Sequence, residues 1–195
     1  MKKILKILLL IFISGALTNC GYNTIIRNDE AVKEAWGNVE TAYQRRFDLI
    51  PNLVETVKAY ASHERETLEA VVNARSKIGS MQVSPEMLEN PDAFQAFQNA
   101  QNSMSGALSR LLLVVENYPD LKANQNFLDL QHQLEGTENR INVARVRYNE
   151  SVKIFNASIR IFPNSITNSI FFKYKPKESF KAQEGADVAP KVKFQ

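Results

Sequence analysis

The chain has 195 residues, of which 44% are hydrophobic and 23% are charged, a composition typical of globular rather than disordered proteins. Its net charge of +3 is unevenly placed, because three lysines precede residue 20 and the segment from residue 173 carries six lysines against three acidic residues. Residues 21–172 are left with 15 basic and 18 acidic side chains. A nucleic-acid partner needs a basic face that replaces the counterions of phosphate, so this mildly acidic body excludes nucleic acid as a partner.

The first 20 residues form a predicted membrane anchor. Three lysines precede an apolar run at residues 7–17, which is short for a spanning helix and typical of a signal segment. The run ends in LTNC, residues 17–20, which resembles the box of bacterial lipoproteins and makes Cys20 a candidate lipidation site, although Asn19 departs from the usual small residue. The alternative is an uncleaved helix from about Ile4 to Ile25. Both alternatives attach the body to a membrane, on the extracytoplasmic side.

Apolar residues at steps of three and four predict helices throughout the body. The first stripe runs over residues 32–78 and contains Pro51, which fits either a kinked long helix or a break at which Asp48 caps a new helix. Residues 79–92 are a predicted linker, rich in proline and small polar residues. A helix at 92–117, a stop at Pro119 and a long helix reaching Pro163 complete the pattern.

This pattern predicts an all-α fold, an antiparallel up-and-down bundle of the four-helix type. Its domains are an anchor at residues 1–20, a helical bundle at residues 21–172 and a basic, mostly disordered tail at residues 173–195. Trp36, Tyr43 and Phe47 lie at helical spacing and are predicted to be core residues rather than a ligand cage.

The sequence carries no pattern for catalysis or for a cofactor. A dimetal site in a bundle needs paired Glu-x-x-His motifs, and the nearest approach, Asp129 with His132, occurs once. His63 has no second histidine at the spacing of a zinc helix. Gly-rich phosphate loops and nucleophile elbows are also absent from the sequence. We therefore expect no enzyme, no metal site and no cofactor.

Polar residues on the last long helix suggest a seam beside its apolar stripe. Glu138, Arg145, Asn149 and Asn156 follow one another at spacings of 7, 4 and 7, so they share one side of the helix. Such a row either fixes the register of packed helices or forms a partner surface. Arg140 and Arg147 are predicted to lie on a solvated face.

Two stretches resemble the LemA family. The first is QRRFDLIPNLVETVK at residues 44–58 with ASHE at 61–64, and the second is NYPDLKANQNF at residues 117–127, followed by ENRI at 138–141. The resemblance implies a helical bundle held outside the bacterial inner membrane by an N-terminal segment, and it implies no catalytic activity or cofactor. Within these motifs we predict one connected polar cap, structural or partner-binding, formed by Arg45, Arg46, Asp48, Asn52, Lys58, Tyr118, Asp120 and Lys122.

The function expected from the sequence is that of a membrane-tethered, non-catalytic interaction or scaffold module that binds an unidentified envelope protein. The surfaces expected to bind are the region of residues 45–58 and the basic tail. One alternative is a structural spacer of the envelope without a specific ligand. Another, suggested by the family alone, is an accessory factor of envelope proteolysis or stress response.

Overall fold

The computed structural model describes residues 2–81 and 83–182, with side chains from residue 21 onward. These residues form helices and connecting segments without a strand, so the all-helical prediction is confirmed. Among the residues described with their side chains, no helix is both long enough and apolar enough to cross a membrane. The predicted anchor at residues 1–20 lies outside them, and so does the candidate lipidation site Cys20.

Four long helices pack side by side. Helix α1 packs along α5, and α2 packs along α3. The elements in chain order are α1 (Lys2–Tyr60), α2 (Arg65–Gly79), a 3-10 helix (Pro85–Glu89), α3 (Pro91–Val115), α4 (Pro119–Lys122), α5 (Gln125–Ser158), α6 (Asn164–Thr167) and a π-helical turn (Asn168–Phe172).

Two asparagines fix where α3 and α5 begin. The side chain of Asn90 accepts hydrogen bonds from the backbone N–H groups of Asp92 and Ala93, at 3.1 and 3.2 Å. Asn124 accepts one from the N–H of Phe127 at 3.1 Å. The first N–H groups of a helix lack partners within the helix, so these side chains satisfy groups that would otherwise remain unpaired.

Helix α1 continues unbroken through Pro51, and Asp48 lies within it rather than capping a new helix. Proline has no N–H, so the carbonyl of Phe47, four residues earlier, loses its usual helical donor. Arg75 on α2 donates from Nε to that carbonyl at 3.3 Å. The Arg75 guanidinium also lies 3.9 Å from the centre of the Phe47 ring. The proline therefore frees an acceptor that joins α1 to α2.

The buried apolar side chains form two clusters along the helices. The first core surrounds Trp36, whose ring centre lies 5.3 Å from that of Tyr148 and 5.6 Å from that of Phe97. The second core contains Ile50, Leu53, Leu111 and Leu134 and other side chains farther along α1. The prediction that Trp36 and Tyr43 are core residues is confirmed. Phe47 is half-buried beneath Arg75.

Residues 173–182 differ from the predicted mobile tail. Lys173 adopts a left-handed conformation with φ of 55°, and the chain there leaves the π-helical turn. Residues 174–181, which we call the strap, then run without helix across the first core, where Phe180 is buried. The expectation of disorder does not hold for these residues, because side chains of the helices bind their backbone. Residues 183–195 lie outside the described part of the chain.

We predict that the bond from Arg75 to Phe47 depends on Pro51. In a Pro51→Ala variant the N–H of residue 51 can take the Phe47 carbonyl, so the Arg75 hydrogen bond loses part of its value. Arg75→Ala should therefore lower the free energy of unfolding by about 1 kcal/mol less in the Pro51→Ala background than in the natural chain. Urea unfolding of the four proteins in a double-mutant cycle measures this coupling. Equal losses in both backgrounds would contradict the prediction.

Candidate functional site

A buried polar layer separates the two cores, and Arg46 is at its centre. The Arg46 side chain is 2% exposed, and its Nη1 donates to Ser105 Oγ at 2.9 Å and to Glu138 Oε1 at 2.8 Å. Its Nη2 donates to the side-chain oxygen of Gln101, and the guanidinium lies 5.1 Å from the centre of the Tyr43 ring. A guanidinium can be buried only when such partners replace its water. Arg46 therefore joins α1 to both α3 and α5.

The other residues of the predicted cap do not join Arg46 in one network. Arg45, which precedes Arg46 on α1, is exposed. Asp48 accepts a hydrogen bond from Gln44 at 2.7 Å. Asn52 is exposed farther along α1, and Lys58 is 3.8 Å from Glu55 in an exposed pair.

The three cap residues of the second motif lie in and around the short helix α4. The hydroxyl of Tyr118 donates to Glu64 at 2.9 Å, which joins the α3–α4 turn to the α1–α2 turn. Lys122 pairs with Glu116, and Asp120 is exposed. Nearby, Asn124 donates to the hydroxyl of Tyr60 at 2.9 Å. A local cap therefore closes this end of the helices, and it contains Tyr118 but not the α1 residues of the prediction.

Asn149 and Asn156 of the predicted seam bind the backbone of the strap. Asn149 donates to the carbonyl of Phe180 and accepts from its N–H, both at 2.9 Å. Asn156 does the same with Lys177, at 2.9 and 2.8 Å. Each asparagine thus satisfies both polar backbone groups of one residue, as a neighbouring strand would. Arg145 lies above the Phe180 ring, 4.6 Å from its centre.

Two further amide side chains extend this arrangement at the ends of the strap. Asn168 binds both backbone groups of Tyr174, at 3.0 and 3.1 Å. Gln98 donates to the carbonyl of Lys181 at 2.7 Å and accepts from its N–H at 3.4 Å. The three residues bound by asparagine are three apart in sequence, which is the repeat of an extended polyproline-type chain. We call these four side chains, Asn149, Asn156, Asn168 and Gln98, the amide ladder.

A buried ion pair anchors the strap to α1. The Nζ of Lys177 is 2.9 Å from Asp29 Oδ1, and the Nζ of Lys33 is 2.9 Å from Asp29 Oδ2. Burial alone would raise the pKa of Asp29, but hydrogen bonds from the two ammonium groups more than offset it and hold the pKa below its ordinary value. The Lys177 ammonium also lies 5.0 Å from the centre of the Phe155 ring. The strap is therefore fixed by charge as well as by backbone hydrogen bonds.

The seam residue Glu138 does not contact the strap. It accepts the hydrogen bond of Arg46 instead, so the four predicted seam residues serve two separate structures. Asp29, Lys177, Gln98 and Asn168 were missed by the sequence reasoning. For Asp29 a signal existed, since its position continues the apolar stripe of Ile25, Val32 and Trp36 at steps of four and three.

The residues considered as metal ligands lie on exposed surface. His132 Nδ1 is 3.9 Å from Glu135 on the outer side of α5, and Asp129 accepts a hydrogen bond from Gln125 at 2.9 Å. His63 is exposed in the turn after α1.

An open groove runs along the outer side of the α1–α5 pair. Its lining includes the buried side chains of Ala42 and Ala144 and the exposed side chain of Val143. Three exposed guanidinium groups line it as well, from Arg45 on α1 and from Arg140 and Arg147 on α5. Among the described residues, none of these three forms an ion pair, although Glu40 and Asp48 line the same groove.

Comparison with known proteins places this arrangement in a family. The model of the LemA family matches residues 35–194, which include α2, α3 and α5, the strap and both sequence motifs. The chain belongs to the LemA family. The resemblance stated from the two motifs is confirmed.

Two kinds of bacterial protein are among the relatives that this chain resembles. A Protein LemA of Metamycoplasma hominis is 27% identical over 143 residues, which cover 72% of this chain and 60% of that protein. Magnetosome protein MamQ 2 of Paramagnetospirillum magneticum is 27% identical over 158 residues, which cover 73% of this chain and 58% of that protein. MamQ of Magnetospirillum gryphiswaldense is 26% identical over the same lengths. The chain thus spans less than two thirds of the relatives it matches.

We predict that removal of the side-chain amide of Asn149 or Asn156, the two α5 residues of the amide ladder, loosens the strap. Asn149→Ala and Asn156→Ala each leave one backbone N–H and one C=O without their protein partner. Each should lower the free energy of unfolding by about 2 kcal/mol and speed hydrogen exchange at the amide it binds, Phe180 or Lys177. The matched control is Asn142→Ala, an exposed asparagine on the same helix, for which we expect a change below about 0.5 kcal/mol. Effects of equal size at Asn142 and Asn149 would contradict the prediction.

We also predict an acid-sensitive strap. The pKa of Asp29 is lower in the folded protein than in the unfolded chain, so its ion pairs stabilise the fold fully above about pH 4. That contribution is lost as the pH falls through the lowered folded-state pKa. Asp29→Asn should therefore cost about 3 kcal/mol at neutral pH, since it leaves Lys177 buried without its carboxylate. The gap between the free energies of unfolding of the natural chain and the Asp29→Asn variant should narrow below about pH 4. Urea unfolding over a pH series measures this gap, and a gap that widens in acid would contradict the prediction.

Proposed function

We propose that this protein is a membrane-tethered, non-catalytic binding module of the bacterial envelope, whose α1–α5 groove receives an acidic, amphipathic segment of another envelope protein. The single observation that carries the proposal is the set of three exposed guanidinium groups in one groove, from Arg45, Arg140 and Arg147, which form no ion pair within the described part of the chain.

The use of the charged side chains supports a binding role over a catalytic one. Among the described residues, the buried charged side chains are Asp29, Arg46 and Lys177, and each is bonded to other side chains of the chain. These three charges therefore hold the helices and the strap together. The charges without an internal partner in the groove lie at the surface, where a second protein can reach them.

The chemistry of the groove supports an acidic, amphipathic occupant. Three guanidinium groups outnumber the two carboxylates of Glu40 and Asp48, whereas residues 21–172 as a whole carry more acidic than basic side chains. Guanidinium groups bind carboxylates through two parallel hydrogen bonds. The apolar side chains of Ala42, Val143 and Ala144 offer contact to the uncharged face of the same segment.

The tether is supported by the sequence and by family membership. The apolar run at residues 7–17 follows three lysines, and cytoplasmic lysines direct the following domain outward. Membership of the LemA family and likeness to bacterial relatives agree with a membrane-associated protein. The groove would then face the extracytoplasmic space.

We predict that the groove captures one protein and that capture depends on its arginines. A photo-crosslinking amino acid at Val143 in the full chain, in native membranes, should give one product of discrete mass. Replacing Arg45, Arg140 and Arg147 together by Gln should reduce its yield about tenfold, since each exposed ion pair contributes up to about 1 kcal/mol.

The control for that experiment removes equal charge elsewhere. Arg65, Lys77 and Arg110 are exposed and form no ion pair within the described residues, so replacing all three by Gln should leave the yield unchanged. A product whose yield is the same in both triple variants would contradict the proposed groove. Diffuse labelling without a discrete product would favour a structural spacer.

A further inference from the structure

A cluster of exposed apolar side chains covers one end of the helices. Five large side chains within eleven residues are about half exposed or more: Ile161 at 56%, Phe162 at 75%, Ile166 at 48%, Ile170 at 62% and Phe171 at 61%. They belong to the turn after α5, to α6 and to the π-helical turn. Exposed apolar residues elsewhere, such as Val72, Leu113 and the pair of Val143 and Val146, are spaced singly or in pairs along the helices. A dense group of such residues marks a surface that another apolar phase covers.

This patch, which we call the end patch, lies against the first residues described with side chains. A Cβ atom added to Gly21 would come within 2.8 Å of the side chain of Asn164 on α6, so the two segments are in close contact. The ring of Tyr22 lies 4.7 Å from that of Phe172 and 6.1 Å from that of Phe171, centre to centre. The end patch therefore begins where the predicted anchor at residues 1–20 stops.

The charged residues within the segment that carries the end patch are of one sign. From Ser158 to Pro176 the sequence contains no aspartate or glutamate, but it contains Arg160, Lys173 and Lys175, all exposed. Residues 21–28 add the exposed Arg27 and no acidic residue. Basic side chains around an apolar surface match the anionic headgroups of bacterial lipids.

We infer that the end patch docks into the headgroup region of the same membrane that holds the anchor, with Phe162, Ile170 and Phe171 entering the lipid and Arg160, Lys173 and Lys175 at the phosphates. This inference rests on the membrane tether of the proposed function. It holds for a lipid on Cys20 and for a spanning helix alike, because the spanning helix would end within about one turn of residue 21, so both bring the end patch to the bilayer surface. Docking fixes the long helices at one angle to the membrane and holds the groove at a set height.

A lipid surface fits the end patch better than a second copy of the chain. The tether brings the patch to the bilayer at every moment, so docking requires no encounter between molecules. A second copy would also bring its own basic residues, Arg160, Lys173 and Lys175, against the same set, and like charges at an interface repel.

The test uses tryptophan fluorescence of the full chain in vesicles of phosphatidylethanolamine and phosphatidylglycerol. The natural chain has one tryptophan, the buried Trp36, which supplies the baseline. In a Phe162→Trp variant, lipids brominated near the headgroup end of their acyl chains should reduce the added fluorescence by about half or more, because interfacial side chains reach about 5–10 Å below the headgroups. Ile170→Trp provides a second probe at an exposed position.

The matched control is Leu113→Trp, which places a tryptophan at an exposed apolar position on α3, on the part of that helix whose buried residues Leu111 and Val115 belong to the second core. It should be quenched by iodide in the water and not by brominated lipid. Equal iodide quenching at residues 162 and 113, without bromine quenching at either, would overturn the inference. Protection of residue 162 from both quenchers would also overturn it and would indicate contact between copies.

Failure of the tether has a different readout. If the full chain does not float with the vesicles in a density gradient, the membrane tether is wrong and docking falls with it. If the chain floats and residue 162 remains in water, the tether stands and only docking is wrong. Replacing Phe162, Ile170 and Phe171 by Ser should leave flotation intact and increase tryptic cleavage after Arg160 and Lys173 severalfold, because the basic residues then leave the headgroups.

Discussion

The buried guanidinium of Arg46 sets the alignment on which the other contacts depend. It occupies a position in the apolar stripe of α1, between Tyr43 and Ile50, and its bonds reach α3 through Gln101 and α5 through Glu138. Sliding α1 by one turn would move all of these partners by about 5.4 Å and leave the charge buried without a hydrogen bond, and sliding α3 or α5 would remove the partners on that helix. An apolar side chain at this position would tolerate other alignments. Single polar residues at the seams of coiled coils fix the register of the helices in the same way as Arg46.

The alignment of α1 with α5 in turn allows the amide ladder to bind the strap. Asn149 and Asn156 are two turns apart on α5, and they meet the backbone of Phe180 and Lys177 only because the first core holds α5 at that height. The ammonium of Lys177 must at the same time reach Asp29 on α1. The strap, the polar layer and the first core therefore pack together as one unit. The second core is closed separately by the cap around Tyr118 and Glu64.

The sequence predicted the helices well because their apolar stripes are long, and it predicted the site poorly for identifiable reasons. The stripe on α1 assigned Phe47 to the interior, since a phenylalanine outweighs an arginine in any hydrophobic pattern, yet Arg46 is buried and Phe47 is half-buried. The row of Asn149 and Asn156 was found from spacing alone. The strap that it binds was not found, because the strap is extended and the residues bound by Asn149, Asn156 and Gln98 are 21 to 83 residues away from them in sequence. Of the groove arginines, Arg140 and Arg147 were assigned to a solvated face and Arg45 to the polar cap, and only packing showed that α1 and α5 bring them into one groove.

The position of Phe180 also orders the events of biosynthesis. Its ring completes the cluster around Trp36, Phe94 and Tyr148, and it follows the long helices in the chain. A chain still emerging from the ribosome has all of its long helices before it has the residue that covers their aromatic side chains. The contact between Gln98 and Lys181 spans 83 residues, so it forms late, after the local helices. Until Phe180 has been synthesised, the nascent protein exposes an aromatic surface, which is the kind of surface that chaperones bind.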